Sequence, residues 1–180
     1  MLLERNKSCL VLVDVQEKLA PLVKNAQYLM ERCEWLLRLA ADLNVPVLLS
    51  EQYPKGLGST LEPLKNLIEG GPIEKVHFSC LREPFFAKKL KALSRTQIVL
   101  IGIETHVCVL QTGMDLKDEG YEVFVVVDAV SSRSELDIKY GLKRMKQAGI
   151  QLLSSEMVFF EWVEQAGTAE FKSLSKAYLK

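Results

Sequence analysis

The sequence lacks long apolar runs and has no excess of charge of either sign. No window reaches the roughly 18 uninterrupted apolar residues that a membrane-spanning helix needs, and the N-terminal stretch MLLERNKSCLVLVDVQ runs into a predicted strand, unlike a signal peptide. Because 23 basic and 23 acidic side chains cancel, no strong field would draw the chain to nucleic acid or to an anionic membrane. We therefore expect a cytoplasmic protein whose partner is a small-molecule substrate, with no nucleic acid and no membrane bound.

Several motifs that would define other classes of protein are also missing. The four cysteines form no C-x-x-C pair in a chain of 180 residues, a size that needs no disulfides, so we expect reduced thiols. The dinucleotide-binding fingerprint G-x-G-x-x-G is absent after the first predicted strand, where residues 14–19 read DVQEKL. No repeat or Pro/Gly-rich linker divides the sequence, which predicts one domain over residues 1–180.

Short apolar runs alternate with segments of helical periodicity. Strands are predicted at 8–13, 45–50, 97–103, 122–127 and 151–153, with a brief extended piece at 76–78. Helices are predicted at 25–43, 60–68, 84–93, 105–119, 134–148 and 156–180. Strands that are apolar on both faces and separated by helices indicate an α/β protein with a parallel sheet covered on both sides.

Polar residues follow four of the predicted strands. Asp14 closes the first strand, Glu51 follows the second, Cys108 lies just past the strand at 97–103, and Asp128 closes the next one. In an open parallel sheet, ligands bind beyond the carboxyl ends of the strands, where the strand order reverses. The pattern therefore predicts a site at this edge of the sheet.

Cys108 is the most informative of these residues. Its predicted place in the first turn of a helix favours a thiolate, because unpaired backbone N–H groups and the helix dipole stabilise an anion there. The alternative is a buried and inert cysteine, which is the common state of this residue. We expect that inert state for Cys9, Cys33 and Cys80.

A nucleophilic thiol needs a proton acceptor, and neither histidine is well placed to be one. His106 lies two residues before Cys108, so on a helix the two side chains diverge by about 200°. His77 lies in an alternating segment and is typical of a packing residue. A carboxylate such as Asp14, with its pKa raised by burial, could take the proton, and a lysine such as Lys75 could balance the charge.

Three separated motifs resemble those of the isochorismatase-like cysteine hydrolase superfamily. They are Leu-Val-Asp-Val-Gln at 12–16, Glu-Lys-x-x-Phe-Ser at 74–79 and Gly-Ile-Glu-Thr-x-x-Cys-Val-x-x-Thr at 102–112. The resemblance implies a three-layer α/β/α, Rossmann-like fold with a six-stranded parallel sheet.

The resemblance also implies a catalytic triad of Asp14, Lys75 and Cys108. A cis peptide before Glu104 would aim the backbone N–H groups of Glu104 and Cys108 at a shared oxyanion. The implied reaction cleaves a C–N bond of a small amide or ureido substrate through an acyl-cysteine intermediate. The alternatives are a catalytically silent interaction protein that keeps the fold, and a nicotinamidase-like or isochorismatase-like hydrolase of another substrate.

At two points the sequence differs from named members of the superfamily, and these differences limit the expected metal binding and substrate. Its nicotinamidases usually carry an Asp-x-His-x-x-His metal site after the second strand, whereas residues 50–58 read SEQYPKGLG and contain no histidine. Glu51 alone cannot supply the ligands of zinc, so we expect no metal and no cofactor. Siderophore-pathway isochorismatases lack the cysteine, so Cys108 argues against vinyl-ether hydrolysis.

Residues beside the motifs are the expected lining of a substrate pocket: Gln16, Glu51, Tyr53, Phe78 and Thr105. The two aromatic rings could sandwich a small planar substrate, although any of the five could instead pack in the core.

The apolar residues at 158–163 exceed one helix stripe, which predicts either core or an interface. Because members of the superfamily commonly form dimers or larger assemblies, the resemblance implies a homo-oligomer.

Overall fold

The middle layer of the protein is a parallel β-sheet. The computed structural model describes residues 1–179. The strands are β1 (Ser8–Val13), β2 (Val47–Gln52), β3 (Ile73–Lys75), β4 (Gln97–Ile103), β5 (Glu122–Ser131) and β6 (Gln151–Leu153). They lie in the order β3-β2-β1-β4-β5-β6, and every neighbouring pair is parallel. The predicted α/β fold with a six-stranded parallel sheet is confirmed.

Helices cover both faces of the sheet. They are α1 (Ala26–Asp42), α2 (Pro54–Leu57), α3 (Glu62–Lys65), α4 (Pro84–Ala92), α5 (Leu110–Asp118), α6 (Glu135–Gln147), α7 (Ser155–Val163) and α8 (Ala169–Tyr178). Short 3-10 turns lie at Ala20–Leu22 and Cys80–Arg82, and a π-helical turn at Thr105–Val109 leads into α5. Within residues 1–179, no helix is long and apolar enough to cross a membrane.

Two predicted elements differ from the structure. The extended piece predicted at 76–78 is wrong. The strand in this region is β3, which covers residues 73–75, and the chain bends directly after Lys75. Three residues with an exposed glutamate in the middle are too short to show a periodic pattern. The helix predicted at 156–180 is in fact α7 and α8, separated where Glu164 and Gly167 adopt positive φ angles. Lys180, the end of that prediction, lies outside the described residues.

Two apolar clusters fill the spaces between the sheet and the helices. On one face, α1 and α7 contribute Leu36 and Trp162, and on the other, α4, α5 and α6 contribute Phe86, Leu116 and Met145. Complete burial of one such side chain is worth roughly 1.5–3 kcal/mol. The two clusters hold the sheet rigidly between its helices.

The apolar excess at 158–163 is mostly core. Val158, Phe159, Trp162 and Val163 are buried, whereas Phe160 is half exposed. The sequence left core and interface as alternatives, and most of this segment belongs to the core.

Gly102 allows β4 to approach β1 closely at the carboxyl edge of the sheet. Its φ is +112°, and a Cβ atom there would lie 2.2 Å from the carbonyl oxygen of Val13. No L-side chain fits at that distance, so glycine is required by both conformation and space. Because the strand order reverses between β1 and β4, this close approach lies at the point where a ligand site is expected.

Candidate active site

Asp14 lies directly after β1 and is fully buried. Its backbone has a φ of 51°, a left-handed conformation that Asp tolerates better than most residues. Its Oδ1 accepts a hydrogen bond from Ser50 Oγ at 2.7 Å, and its Oδ2 accepts one from Lys75 Nζ at 2.7 Å. The carboxylate is thus fixed in orientation by a hydroxyl and a cation.

Lys75 ends the edge strand β3, and its side chain points into the protein with 1% exposure. Besides Asp14, its ammonium group donates to Gln52 Oε1 at 2.6 Å and to the carbonyl oxygen of Phe78 at 3.0 Å, with the carbonyl oxygen of His77 at 3.3 Å. Burial, the largest single effect, lowers the pKa of Lys75, but the charge and hydrogen bond of Asp14 together with the Cys80 and Cys108 sulfurs raise the pKa above its ordinary value. Lys75 is therefore a fixed positive charge.

Cys108 lies in the π-helical turn after β4, with 7% of the residue exposed. Burial, and next the charge of Asp14, raise the pKa of its thiol well above the ordinary value, while Lys75 lowers it to a smaller extent. The resting sulfur is therefore a neutral thiol at pH 7. Burial and the nearby carboxylate thus act against the thiolate that the helix position predicts.

The peptide bond between Ile103 and Glu104 is cis, as the superfamily resemblance implies. The carboxylate of Glu104 accepts hydrogen bonds from the backbone N–H and the Nε of Arg133, at 3.0 and 3.1 Å. Among residues 1–179, no acceptor is bonded to the backbone N–H of Glu104. The oxyanion role of this N–H group stays a prediction.

The residues predicted to line a pocket occupy different environments. Gln16 is buried, and its side chain bonds the backbone N–H and carbonyl of Gln52 and the carbonyl of Gly58. Glu51 lies within β2, and its Oε1 accepts a hydrogen bond from the backbone N–H of Thr60 at 2.7 Å. Both side chains hold the segment after β2 in place.

The other three predicted lining residues are placed differently. Thr105 is fully buried, and its Oγ1 has no hydrogen-bond partner in the described part of the chain. Tyr53 and Phe78 are 55% and 51% exposed, so their rings lie on the surface. Thr105 therefore has an unused polar atom next to Glu104, whereas the two aromatic residues are largely open to solvent.

Three residues close to the charged pair were not recognised as site residues from the sequence. Ser50 and Gln52 end β2 and bind Asp14 and Lys75 directly. Cys80 is fully buried, and burial followed by the charge of Asp14 raises the pKa of its thiol to about 11. The general position of Ser50 and Gln52 could be inferred, since the carboxyl ends of adjacent parallel strands meet at one edge, but their individual partners are set by strand register.

The remaining polar residues of interest have structural partners. Asp128 accepts hydrogen bonds from the backbone N–H and the hydroxyl of Ser155, at 2.7 and 2.6 Å, at the start of α7. His106 Nδ1 lies 3.0 Å from Ser132 Oγ. In residues 1–179, no group of three or more His, Cys, Asp or Glu side chains is arranged to hold a metal ion.

The chain is similar to proteins of a known family. The sequence profile of the isochorismatase domain matches residues 8–157. The mouse protein isochorismatase domain-containing protein 2A is 41% identical over 171 residues, which cover 94% of this chain and 81% of the mouse protein. The matched region includes Asp14, Lys75 and Cys108.

Two solved structures share the fold over almost the entire chain. The MAR1 ribonuclease of Caenorhabditis elegans has a TM-score of 0.92 and 39% identity, covering 100% of this chain and 93% of its own. The YcaC gene product of Escherichia coli, an octameric hydrolase of unknown specificity, has a TM-score of 0.92 and 27% identity, covering 99% and 91%.

Proposed function

The chain belongs to the isochorismatase domain family, and we propose that it hydrolyses a C–N bond of a small amide or ureido substrate through an acyl-cysteine intermediate. Proteins of this fold are largely hydrolases. The observation that carries the proposal is the buried Asp14–Lys75 pair, whose charges act directly on the Cys108 thiol. A neutral thiol beside a fixed carboxylate is the arrangement that general-base activation requires.

The first half of the reaction forms the acyl-enzyme. Asp14 accepts the proton of the Cys108 thiol, the sulfur attacks the carbonyl carbon, and the π-electron pair moves to the oxygen. The backbone N–H groups of Glu104 and Cys108 bind the oxyanion, and each such donor typically contributes roughly 3 kcal/mol to lowering the barrier. When the C–N bond breaks, Asp14 returns the proton to the leaving nitrogen.

The second half releases the product. Asp14 takes a proton from water, the resulting hydroxide attacks the acyl carbon, and the carbon–sulfur bond breaks with return of the proton to sulfur. The hydrogen bonds of Lys75 engage Asp14, Gln52 and Phe78, so Lys75 acts as a stationary charge. These steps use neither a metal nor a cofactor.

The surroundings of the thiol favour a small substrate. Cys108 is almost buried, and the free Thr105 hydroxyl is suited to bind a polar group of the substrate. Tyr53 and Phe78 at the rim would cover the substrate on the solvent side. Gln16 and Glu51 support the segment that carries Tyr53.

We also propose that the protein forms a homo-oligomer. The E. coli structure to which it is similar is an octameric hydrolase. Exposed apolar side chains, Val76, Phe78 and Phe85, follow β3 in the chain, and burial between subunits would remove them from water. Light scattering of the purified chain measures the mass, and a monomer at micromolar concentration would contradict this proposal.

Ammonia release from a panel of small amides and ureido compounds tests the proposed reaction. Cys108→Ala is expected to abolish release, whereas Cys33→Ala, which removes a buried thiol on α1, retains it. Rapid quenching followed by mass spectrometry should show the acyl group on the peptide containing Cys108. Release at an undiminished rate from Cys108→Ala would refute the proposal.

RNA is the alternative substrate, because the similar C. elegans protein is named a ribonuclease. A fluorogenic RNA is therefore included in the panel with the same two variants. Cleavage of RNA without hydrolysis of any amide would favour that activity, although the zero net charge of the chain does not favour binding to a polyanion.

A further inference from the structure

We propose that Thr112 is a positioning residue that fixes the placement of Lys75 relative to Cys108. This inference rests on the proposed function, since it concerns the same thiol and charged pair. Lys75 is followed by the segment 76–82, which contacts Thr112 through the backbone of Cys80 and which we call the Lys75 loop.

The Lys75 loop supplies part of the binding site of the Lys75 ammonium group. The carbonyl oxygens of Phe78 and His77 lie 3.0 and 3.3 Å from Nζ, and both belong to this loop. The side chains of these two residues are exposed, so they cannot hold the loop in the protein. Asp14 and Gln52 hold the ammonium group from the other side, and the loop's share of its binding depends on how the rest of the loop is anchored.

Two contacts anchor the Lys75 loop to α5. The backbone N–H of Cys80 donates to Thr112 Oγ1 at 2.9 Å, and both groups are buried. The guanidinium of Arg82 binds both carboxylate oxygens of Asp115, at 2.8 and 3.3 Å, at an exposed position. The buried contact is the stronger constraint, because water cannot replace it, whereas an exposed ion pair is screened by solvent.

The nucleophile and both anchors lie on one stripe of the same helical segment. Thr112 follows Cys108 by four residues and Asp115 follows it by seven, spacings that place all three side chains on one face. The helical segment that carries the sulfur thus also carries the anchors of the loop that orients Lys75. A hydrogen bond from Cys80 to Thr112 sets the distance between the two functional groups.

Loosening this anchor should change the ionisation of the thiol. The positive charge of Lys75 lowers the pKa of Cys108 against the opposite effects of burial and Asp14. If the loop carbonyls move, Lys75 is less firmly held beside the sulfur, and the thiol gives up its proton only at higher pH.

The rate of alkylation of Cys108 by iodoacetamide, measured from pH 6 to 10 on the full chain by peptide mass spectrometry, tests the proposal. Thr112→Val keeps the shape of the side chain but removes the acceptor, and we expect its pH profile to move by about one unit to higher pH, with alkylation at pH 8 slowed about tenfold. Thr112→Ser retains the hydroxyl and should stay within about twofold of the wild-type rate. Asp118→Asn, at an exposed position near the end of α5, is the matched control.

A Thr112→Val profile that superimposes on that of the wild type would overturn the positioning role. Because iodoacetamide is not the substrate, that result would leave the hydrolysis experiment with Cys108→Ala unaffected. An equal shift of the pH profile in Thr112→Val and Thr112→Ser would also overturn the positioning role, since only Thr112→Val removes the hydroxyl group. If Thr112→Val does not fold, Thr112→Ala decides, with a shift in the same direction expected and no shift contradicting the proposal.

Discussion

The ion pair between Asp14 and Lys75 should show strong energetic coupling. The charged atoms lie 2.7 Å apart, with side chains 0% and 1% exposed. At an effective dielectric constant of about 20, the attraction at this distance is about 6 kcal/mol, and removal of both charges from water offsets much of it. Loss of one partner leaves the other charge buried alone, which costs roughly 3–5 kcal/mol.

A double-mutant cycle measures this coupling. We expect Asp14→Asn and Lys75→Met each to lower the free energy of unfolding by about 3–5 kcal/mol. The double variant should stay within about 2 kcal/mol of the wild type, the remaining loss arising because Gln52 and Phe78 lose their donor. Urea unfolding followed by tryptophan fluorescence gives these values, and all three variants should lack amide hydrolysis.

An exposed pair on α1 provides the comparison. Glu34 and Arg38 are bonded at 2.7 Å, but both are well exposed, so their coupling in the same kind of cycle should be below about 0.5 kcal/mol. The reasoning would be refuted if the losses from Asp14→Asn and Lys75→Met simply added in the double variant.

Two further predictions concern the π-helical turn and the buried thiols. A methyl group at Gly141 would lie 3.1 Å from His106 Cα, so Gly141→Ala should slow amide hydrolysis about tenfold by displacing the turn that carries Cys108. Its unfolding free energy should change by less than about 1 kcal/mol, because alanine improves helix propensity; unchanged hydrolysis would contradict this. Burial raises the pKa of Cys9 to about 12 from 9.0, so the folded thiol keeps a proton that the unfolded thiol loses. The contribution of the protonated Cys9 thiol to stability is full below pH 9 and falls above it by up to about 1.4 kcal/mol per pH unit. In urea unfolding from pH 8 to 10.5, the free energy of unfolding should therefore decline less steeply with pH in Cys9→Ala than in the wild type. Equal slopes of unfolding free energy against pH would contradict this prediction.

Much of the fold could be predicted because its strands are apolar on both faces. The buried runs in β1, β4 and β5 read as strands without knowledge of their neighbours. By contrast, β3 has three residues and an exposed glutamate, so a pattern of period two could not be recognised. The break between α7 and α8 was missed because apolar residues continue on both sides of it.

The candidate site was less completely predictable, because several of its contacts depend on strand register. Val13 pairs with Ser50, which brings Ser50 next to Asp14, and Gln52 pairs with Lys75. No local sequence pattern encodes such cross-strand neighbours. The charge state of Cys108 was harder to predict, because the burial of the thiol, the largest cause of its raised pKa, is not encoded by its position near a helix start.

The close contact at Gly102 has a consequence for how this protein tolerates change. At position 102, β4 approaches the backbone of β1 so closely that only a hydrogen atom fits in place of a side chain. The distance between the two halves of the sheet therefore depends on the absence of a side chain there. A mutational survey would rank position 102 with the reactive groups, although it has no part in bond making or bond breaking. The Cys108 side chain could be shortened to a methyl group without unfolding the chain, but a methyl group added at position 102 would push apart the strands that carry the acid and the nucleophile.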